Sequence, residues 1–194
     1  MTDIAVNSMK QSAATTGRVL VALGGNLASS SGEPHRTIEA ALRIFPAFGL
    51  RVSRRAPLYR TPPVSKYIQD NYVNTVVEIE VAVPPASLLA VLHRIEDLFG
   101  RVRRDRWGAR TLDLDLLDYR GVIVPASGLR GPEVGIGPLP LALPHPGMTE
   151  RAFVLLPLRD LAPGWHHPVT GEPIDQLIRR LPAAALGGIV RLVD

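Results

Sequence analysis

The 194-residue chain contains no cysteine. That excludes a disulfide scaffold, a thiolate-ligated zinc site and a thiol nucleophile. Aromatic residues make up only 5% of it, and lysine is nearly absent: of 22 basic residues, only Lys10 and Lys66 are not arginine. No uncharged apolar stretch approaches the roughly 20 residues needed to span a bilayer. The N-terminus, MTDIAVNSMKQSAATTGR, has no apolar core and carries Asp3 early, so it does not read as a secretory signal. Residues 1–17 read as a disordered extension, and 18–194 as one cytoplasmic domain.

What is present is ordinary for a globular chain: 46% hydrophobic and 21% charged residues. A chain of this length buries roughly 70% of its unfolded surface, so it needs no metal to hold a core. The net charge of +4 is modest, but it is clustered, with Arg101, Arg103, Arg104, Arg106 and Arg110 in ten residues. Clustered cationic charge points to an anionic partner; an arginine-rich composition alone does not.

The periodicity predicts alternating strands and helices. RVLVAL (18–23) is a buried strand ending at Gly24-Gly25. A helical pattern follows over 33–47, with Gly49 past its end. Residues 50–60 read as a second strand, stopped by Thr61-Pro62-Pro63, and 61–71 as a loop. A third strand runs over 72–83, with Val73, Val77, Ile79 and Val81 on one face and Tyr72, Asn74, Glu78 and Glu80 on the other. Pro84-Pro85 opens a helix over 86–99 whose stripe is Leu88, Val91, Leu92, Ile95 and Phe99. LDLDLLDY (112–119) is the clearest strand. The Gly- and Pro-rich stretch 120–146 is a long connection, followed by helices over about 149–159 and 174–181 and an apolar tail at 189–193. The order suggests an α/β sandwich with an antiparallel hairpin, not a doubly wound sheet.

Asp113-Leu114-Asp115 is the sharpest chemical feature. In a strand the two carboxylates share a face roughly 6.6 Å apart, while Leu112, Leu114 and Leu116 face the core. Such a pair repels itself unless a cation intervenes, and Mg²⁺ is commonly held by one or two carboxylates plus substrate phosphates. A solvated edge strand would show the same pattern, but the neighbouring arginines shift the balance. Guanidinium forks bind phosphate, and a carboxylate pair beside them suits a nucleoside triphosphate.

No GxxxxGK[ST] is present, and Gly24-Gly25-Asn26 lacks the third glycine of a dinucleotide fingerprint, so by itself it is a tight turn. Trp107, inside the arginine loop, could stack on a base or flat heterocycle. Tyr72 and Asn74 would suit a planar, amide-bearing ligand, or are simply surface residues on a half-exposed strand. His145, between Pro144 and Pro146, is either a substrate contact or an ordinary loop histidine. His166-His167 has no supporting ligand pair for a metal.

Six motifs, in order along residues 18–165, resemble one family: 6-hydroxymethyl-7,8-dihydropterin pyrophosphokinase, of folate biosynthesis. The strongest is Arg106-Trp107-Gly108-Ala109-Arg110-Thr111-Leu112-Asp113-Leu114-Asp115-Leu116-Leu117. The others are Leu23-Gly24-Gly25-Asn26-Leu27, Tyr59-Arg60-Thr61-Pro62-Pro63, Tyr72-Val73-Asn74, Glu96 with Gly100-Arg101-Val102-Arg103, and Pro144-His145-Pro146 with Arg151-Ala152-Phe153.

The resemblance implies a three-layer α/β/α sandwich on a ferredoxin-like core, with a mainly antiparallel sheet. It implies transfer of pyrophosphate from ATP to the pterin hydroxymethyl, releasing AMP. Asp113 and Asp115 would hold two Mg²⁺ ions. Arg101, Arg103, Arg110 and Arg151 would contact phosphates, with Glu96, Leu116 and His145 completing the ATP site; Arg101 and Arg110 count with the two aspartates as catalytic. Thr61, Pro62, Val64, Tyr72, Asn74 and Phe153 align with the pterin pocket, and Trp107 with a loop closing over both substrates.

The sequence departs from the family pattern at Gly25, where serine is usual, and at Ala109, where proline is usual. The 104–107 loop is a residue short against some relatives, and the 120–142 connection is long. The expected partners are these small molecules, with no nucleic acid and no membrane, and the chain is expected to act as a monomer. The competing reading is a nucleic-acid-binding module using the 101–110 basic loop, and a second is an inactive relative used for protein contacts. Both fit poorly with paired carboxylates beside the basic stripe.

Overall fold

The computed structural model describes residues 17–63, 68–101, 108–125 and 141–192. Residues 1–16, most of the expected N-terminal extension, lie outside them. The hydrophobic run after Arg18 forms β1 (Val19–Gly25), buried along almost its whole length. It pairs antiparallel with β4 (Tyr72–Glu80) on one side and β5 (Asp113–Tyr119) on the other. With β3 (Tyr59–Thr61) and β6 (Val190–Arg191) the sheet order is β5-β1-β4-β3-β6, with β2 (Arg51–Arg55) also on β4, and every strand pairing is antiparallel.

Because β1 is buried on both faces, its alternate residues feed two cores. Val19, Val21 and Leu23 pack with Ile38 and Phe45 and with Leu88, Leu92 and Ile95. Those partners come from α1 (Pro34–Ile44), the 3₁₀ turn after it, and α2 (Pro85–Leu98). Leu20, on the other face, joins Val76, Leu117, Leu155, Leu158, Ile174 and Leu177. This second layer is α3 (Ala152–Leu161) and α4 (Ile174–Arg179). Each fully buried Leu, Ile or Phe contributes about 1.5–3 kcal/mol, so both helical layers are held by apolar burial. The result is the expected three-layer sandwich.

The expected single strand over 50–60 is two. β2 ends at Arg55, and β3 (Tyr59–Thr61) starts after Ala56-Pro57-Leu58. Pro57 has no N–H to give a ladder, and both pieces pair in succession with β4. The apolar tail is β6 (Val190–Arg191), a second partner for β3, preceded by the one-turn α5 (Ala183–Leu186). The helix expected from about 149 is a 3₁₀ turn at Met148–Glu150 followed by α3.

β5 carries one irregularity. Its register against β1 slips between Leu20 and Val21, which face Asp118 and Leu116 and leave Leu117 extra. Leu114 and Leu116 face the first core and Leu117 the second, as simple alternation requires; the slip then sends Tyr119 to the first core. It also turns Asp118 toward the second layer, where Oδ2 accepts the Trp165 indole N–H at 2.8 Å.

Candidate active site

The β1 register builds the site. Gly24 pairs with Asn74 on β4 and with Asp113 on β5, and Ala22 pairs with Val76 and Asp115. Residues directly opposite in an antiparallel sheet share a face, and neighbouring strands lie about 4.8 Å apart. Asn74 and Asp113 therefore project on one face about 10 Å apart, with only the glycine between them.

The two glycines are required by close approach. A Cβ on Gly24 would sit 2.4 Å from Asn74 Oδ1, and one on Gly25 2.4 Å from the Thr111 carbonyl. The usual serine at position 25 would meet that same carbonyl. Asn26, only 4% exposed, then ties three segments together. Its Oδ1 accepts Arg110 N–H at 2.8 Å, and its Nδ2 donates to Gln69 Oε1 and to the Asp70 carbonyl. Arg110 O in turn accepts the N–H groups of Asn26 and Leu27. Sequence reading saw only a tight turn here; the signal was an asparagine directly after the glycine pair.

Around the carboxylates the charges alternate. Arg110 Nη1 bonds Asp113 Oδ2, while Arg101 Nη2 lies 2.7 Å from Asp113 Oδ1. Arg101 Nη1 also pairs with Glu96, whose Oε1 accepts the Leu114 N–H at 2.7 Å. On the other carboxylate, His145 Nε2 stands 3.7 Å from Asp115 Oδ1 and Arg151 Nη1 3.6 Å from Oδ2. His145 is held there because its backbone N–H donates to the Leu117 carbonyl at 2.9 Å. Arg151 precedes the first turn of α3 and stacks on Phe153, 5.9 Å from the ring centroid.

The two aspartates titrate apart. Burial pushes Asp113 up, but the adjacent Arg110 and Arg101 outweigh it and hold the carboxyl below the usual range. Burial and the Asp113 charge push Asp115 up, with His145 and Arg151 offsetting only part. Burial also drives Glu96 up to about 8, against the pull of Arg101.

Asn74 donates to Thr61 Oγ1 at 2.7 Å, and both side chains are buried. Tyr72 is half-buried, its hydroxyl 3.4 Å from the Gly108 carbonyl and from Gln69 Oε1. Burial raises its phenol pKa. Pro62 is exposed beside Thr61.

The structure thus assembles Arg101, Arg110, Asp113, Asp115, His145, Arg151 and Phe153, with Thr61, Tyr72 and Asn74 across Gly24. Glu96 has no exposed surface and acts on the site through Arg101 and β5. Leu116 is 3% exposed and packs in the first core, so its main chain is what it can offer a nucleotide. Val64, Arg103 and Trp107 lie outside the described residues.

Among the described residues no group of three or more Asp, Glu or His side chains converges as a metal cage. The donor set nonetheless fits a hard cation shared with a substrate. Asp113 Oδ1 meets Arg101, a group that a phosphate can draw away, and His145 Nδ1 is buried without a hydrogen-bond partner among the described residues. Among the described residues, His145 and Arg151 stand near Asp115 but beyond hydrogen-bond reach. Two carboxylates share one face, and a hard cation held there would have its coordination completed by phosphate and water.

A profile of the family described as 7,8-dihydro-6-hydroxymethylpterin-pyrophosphokinase matches residues 20–163. The 2-amino-4-hydroxy-6-hydroxymethyldihydropteridine pyrophosphokinase of Pseudomonas aeruginosa is 39% identical over 176 residues, covering 90% of this chain and 96% of the relative. The Synechocystis enzyme of the same name is 38% identical over 172 residues, covering 86% and 77%. Among solved structures, a Plasmodium falciparum HPPK-DHPS triple mutant superposes with a TM-score of 0.61 at 17% identity. That likeness is one of fold: it covers 84% of this chain, which spans only 41% of the longer one.

Proposed function

The chain belongs to the 7,8-dihydro-6-hydroxymethylpterin-pyrophosphokinase family, and from that premise we propose how its residues divide the work. The enzyme transfers the pyrophosphoryl group of ATP to the hydroxymethyl of 6-hydroxymethyl-7,8-dihydropterin, in folate biosynthesis.

The reading of the site is carried by the register that sets Asn74 and Asp113 on either side of Gly24. It gives a face with an amide-lined half and a charged half in adjoining positions. On the first half, Thr61 fixes Asn74 by accepting one amide hydrogen, which leaves the amide oxygen committed in direction. Tyr72 and Phe153 supply rings for a flat heterocycle.

On the charged half, Asp113 and Asp115 would hold two Mg²⁺ ions. Bound there, such ions offset the charge of the triphosphate and orient it for in-line displacement. Arg101 and Arg110 stand on Asp113. Phosphate oxygens offer both guanidiniums a bidentate partner, and turning toward them releases carboxylate oxygens to a cation. Arg151 and His145 do the same from the Asp115 side. Positioning and charge stabilisation then supply the rate, which is what phosphoryl-type transfer demands of a protein.

Residues 18–194 act as one domain in this reading, as a monomer in the cytoplasm. In support of one domain, both cores share one sheet. The deciding assay supplies ATP and the hydroxymethyl pterin with and without Mg²⁺ and separates the nucleotide products. AMP with pterin diphosphate, only with the metal, is expected. ADP, or turnover undiminished by a chelator, would contradict the mechanism.

A further inference from the structure

The last stretch of chain, 187–192, lies beyond the residues the family profile matches, yet it reaches the pterin half of the site. Arg191 pairs with Tyr59 and Val190 with Arg60, and Leu192 N–H donates to the Leu58 carbonyl at 2.8 Å. β3 is three residues long, and β6 gives it a second ladder next to the one it makes with β4. It is thus flanked on both sides up to the point where it delivers Thr61 and Pro62.

At Gly188 the backbone presses on Pro62. A Cβ there would lie 2.8 Å from Pro62 Cγ and 3.7 Å from Cδ, and the glycine φ is +71°. Pro62 cannot retreat cheaply. Its own φ is fixed by the ring, and Thr61 before it is held by the Asn74 amide. The strap is anchored as well, because Ile189 packs on the second core.

We propose that Gly188 is a positioning residue: the C-terminal strap holds Pro62 in place and so sets affinity for the pterin and not for ATP. This rests on the assignment of Thr61, Pro62 and Asn74 to the pterin pocket. The ATP-side groups come from α2, β5 and the loops around them, and β6 pairs with none of these, only with β3.

The test uses the full chain and measures KM for each substrate in Gly188→Ala. Gly171→Ala is the control, since Gly171 has φ +70° but nothing within 4 Å, so it carries the backbone strain without the contact. Gly188→Ala is expected to raise the pterin KM about tenfold while the ATP KM stays within about twofold; Gly171→Ala changes neither. In Pro62→Ala/Gly188→Ala the pterin KM should be no worse than in Pro62→Ala alone, because the obstructing ring is gone. Should Gly188→Ala fail to fold, Gly188→Asn gives the same readout, since asparagine tolerates left-handed backbone while still carrying a Cβ. Parallel changes in both KM values, an equal effect in Gly171→Ala, or additive effects in the double variant would overturn the positioning role. A wild-type chain that makes no AMP from ATP and pterin would instead defeat the pterin reading beneath it.

Discussion

Asn74 and Asp113 flank the same residue, Gly24, on opposite sides of β1. One backbone position thereby sets the spacing between a hydrogen-bonding amide and a charged centre. A methyl at Gly24 would strike Asn74 Oδ1 at 2.4 Å and turn the amide off Thr61. Gly24→Ala should raise the pterin KM by about tenfold to a hundredfold, as small misplacements at a reacting pair do. Steady-state kinetics with each substrate varied in turn checks this. An unchanged pterin KM would mean that Asn74 is not in the pocket.

Gly25 answers to Thr111 in the same way, but through backbone. Any side chain there must push back the segment that leads into β5, because the obstacle is a carbonyl oxygen and not a flexible tip. Restoring the usual serine, Gly25→Ser, should therefore lower stability by about 1–3 kcal/mol. Thermal melts and urea titration measure it. Wild-type stability in that variant would show that Thr111 can yield without cost.

Arg101 links buried Glu96 to Asp113. Arg101→Ala removes the guanidinium that Glu96 and Asp113 share, which should cost about 1.5–3 kcal/mol, in addition to lost turnover. Glu96→Gln in the same chain should recover part of that stability, since the amide can still accept the Leu114 N–H. A double-mutant cycle by urea denaturation reads the coupling. Strict additivity would show that the ion pair contributes nothing.

The motifs that carry chemistry were legible where a simple period holds. Asp113 and Asp115 follow the two-residue alternation of β5, and their shared face needs nothing else. The alternation fails after Leu117, where a slip that depends on β1 turns Asp118 inward, and no local signal announces it. Pro57 did signal the break between β2 and β3, but the hydrophobic residues on either side masked it. The motif names Glu96, but only the packing of α2 on β5 shows how it is held, buried against Arg101 and the Leu114 N–H. Gly188 and Pro62 are 126 positions apart in the chain, so their contact exists only in three dimensions.

Tyr59 donates its hydroxyl to Asp160 Oδ2 at 2.9 Å. Burial first, then that hydrogen bond and the Asp160 charge, push its phenol up to about 12. The folded state thus keeps this proton longer than the unfolded chain does. Its stabilising contribution is complete below about pH 10 and is lost as pH rises from there to about 12. Ultraviolet difference titration should show a tyrosine step near pH 12 that disappears in Tyr59→Phe, apart from the raised step of Tyr72. If the late step persists in that variant, it belongs to another residue.

The most direct test of the paired-carboxylate centre is turnover of Asp115→Ala, followed alongside its thermal unfolding. Removing a carboxyl that burial and Asp113 both disfavour in its charged form should leave the fold intact. The predicted result is a loss of at least about 10³-fold in kcat, on the order of 4 kcal/mol of transition-state stabilisation, with a native-like melt. Turnover close to wild type in a folded Asp115→Ala protein would contradict the account.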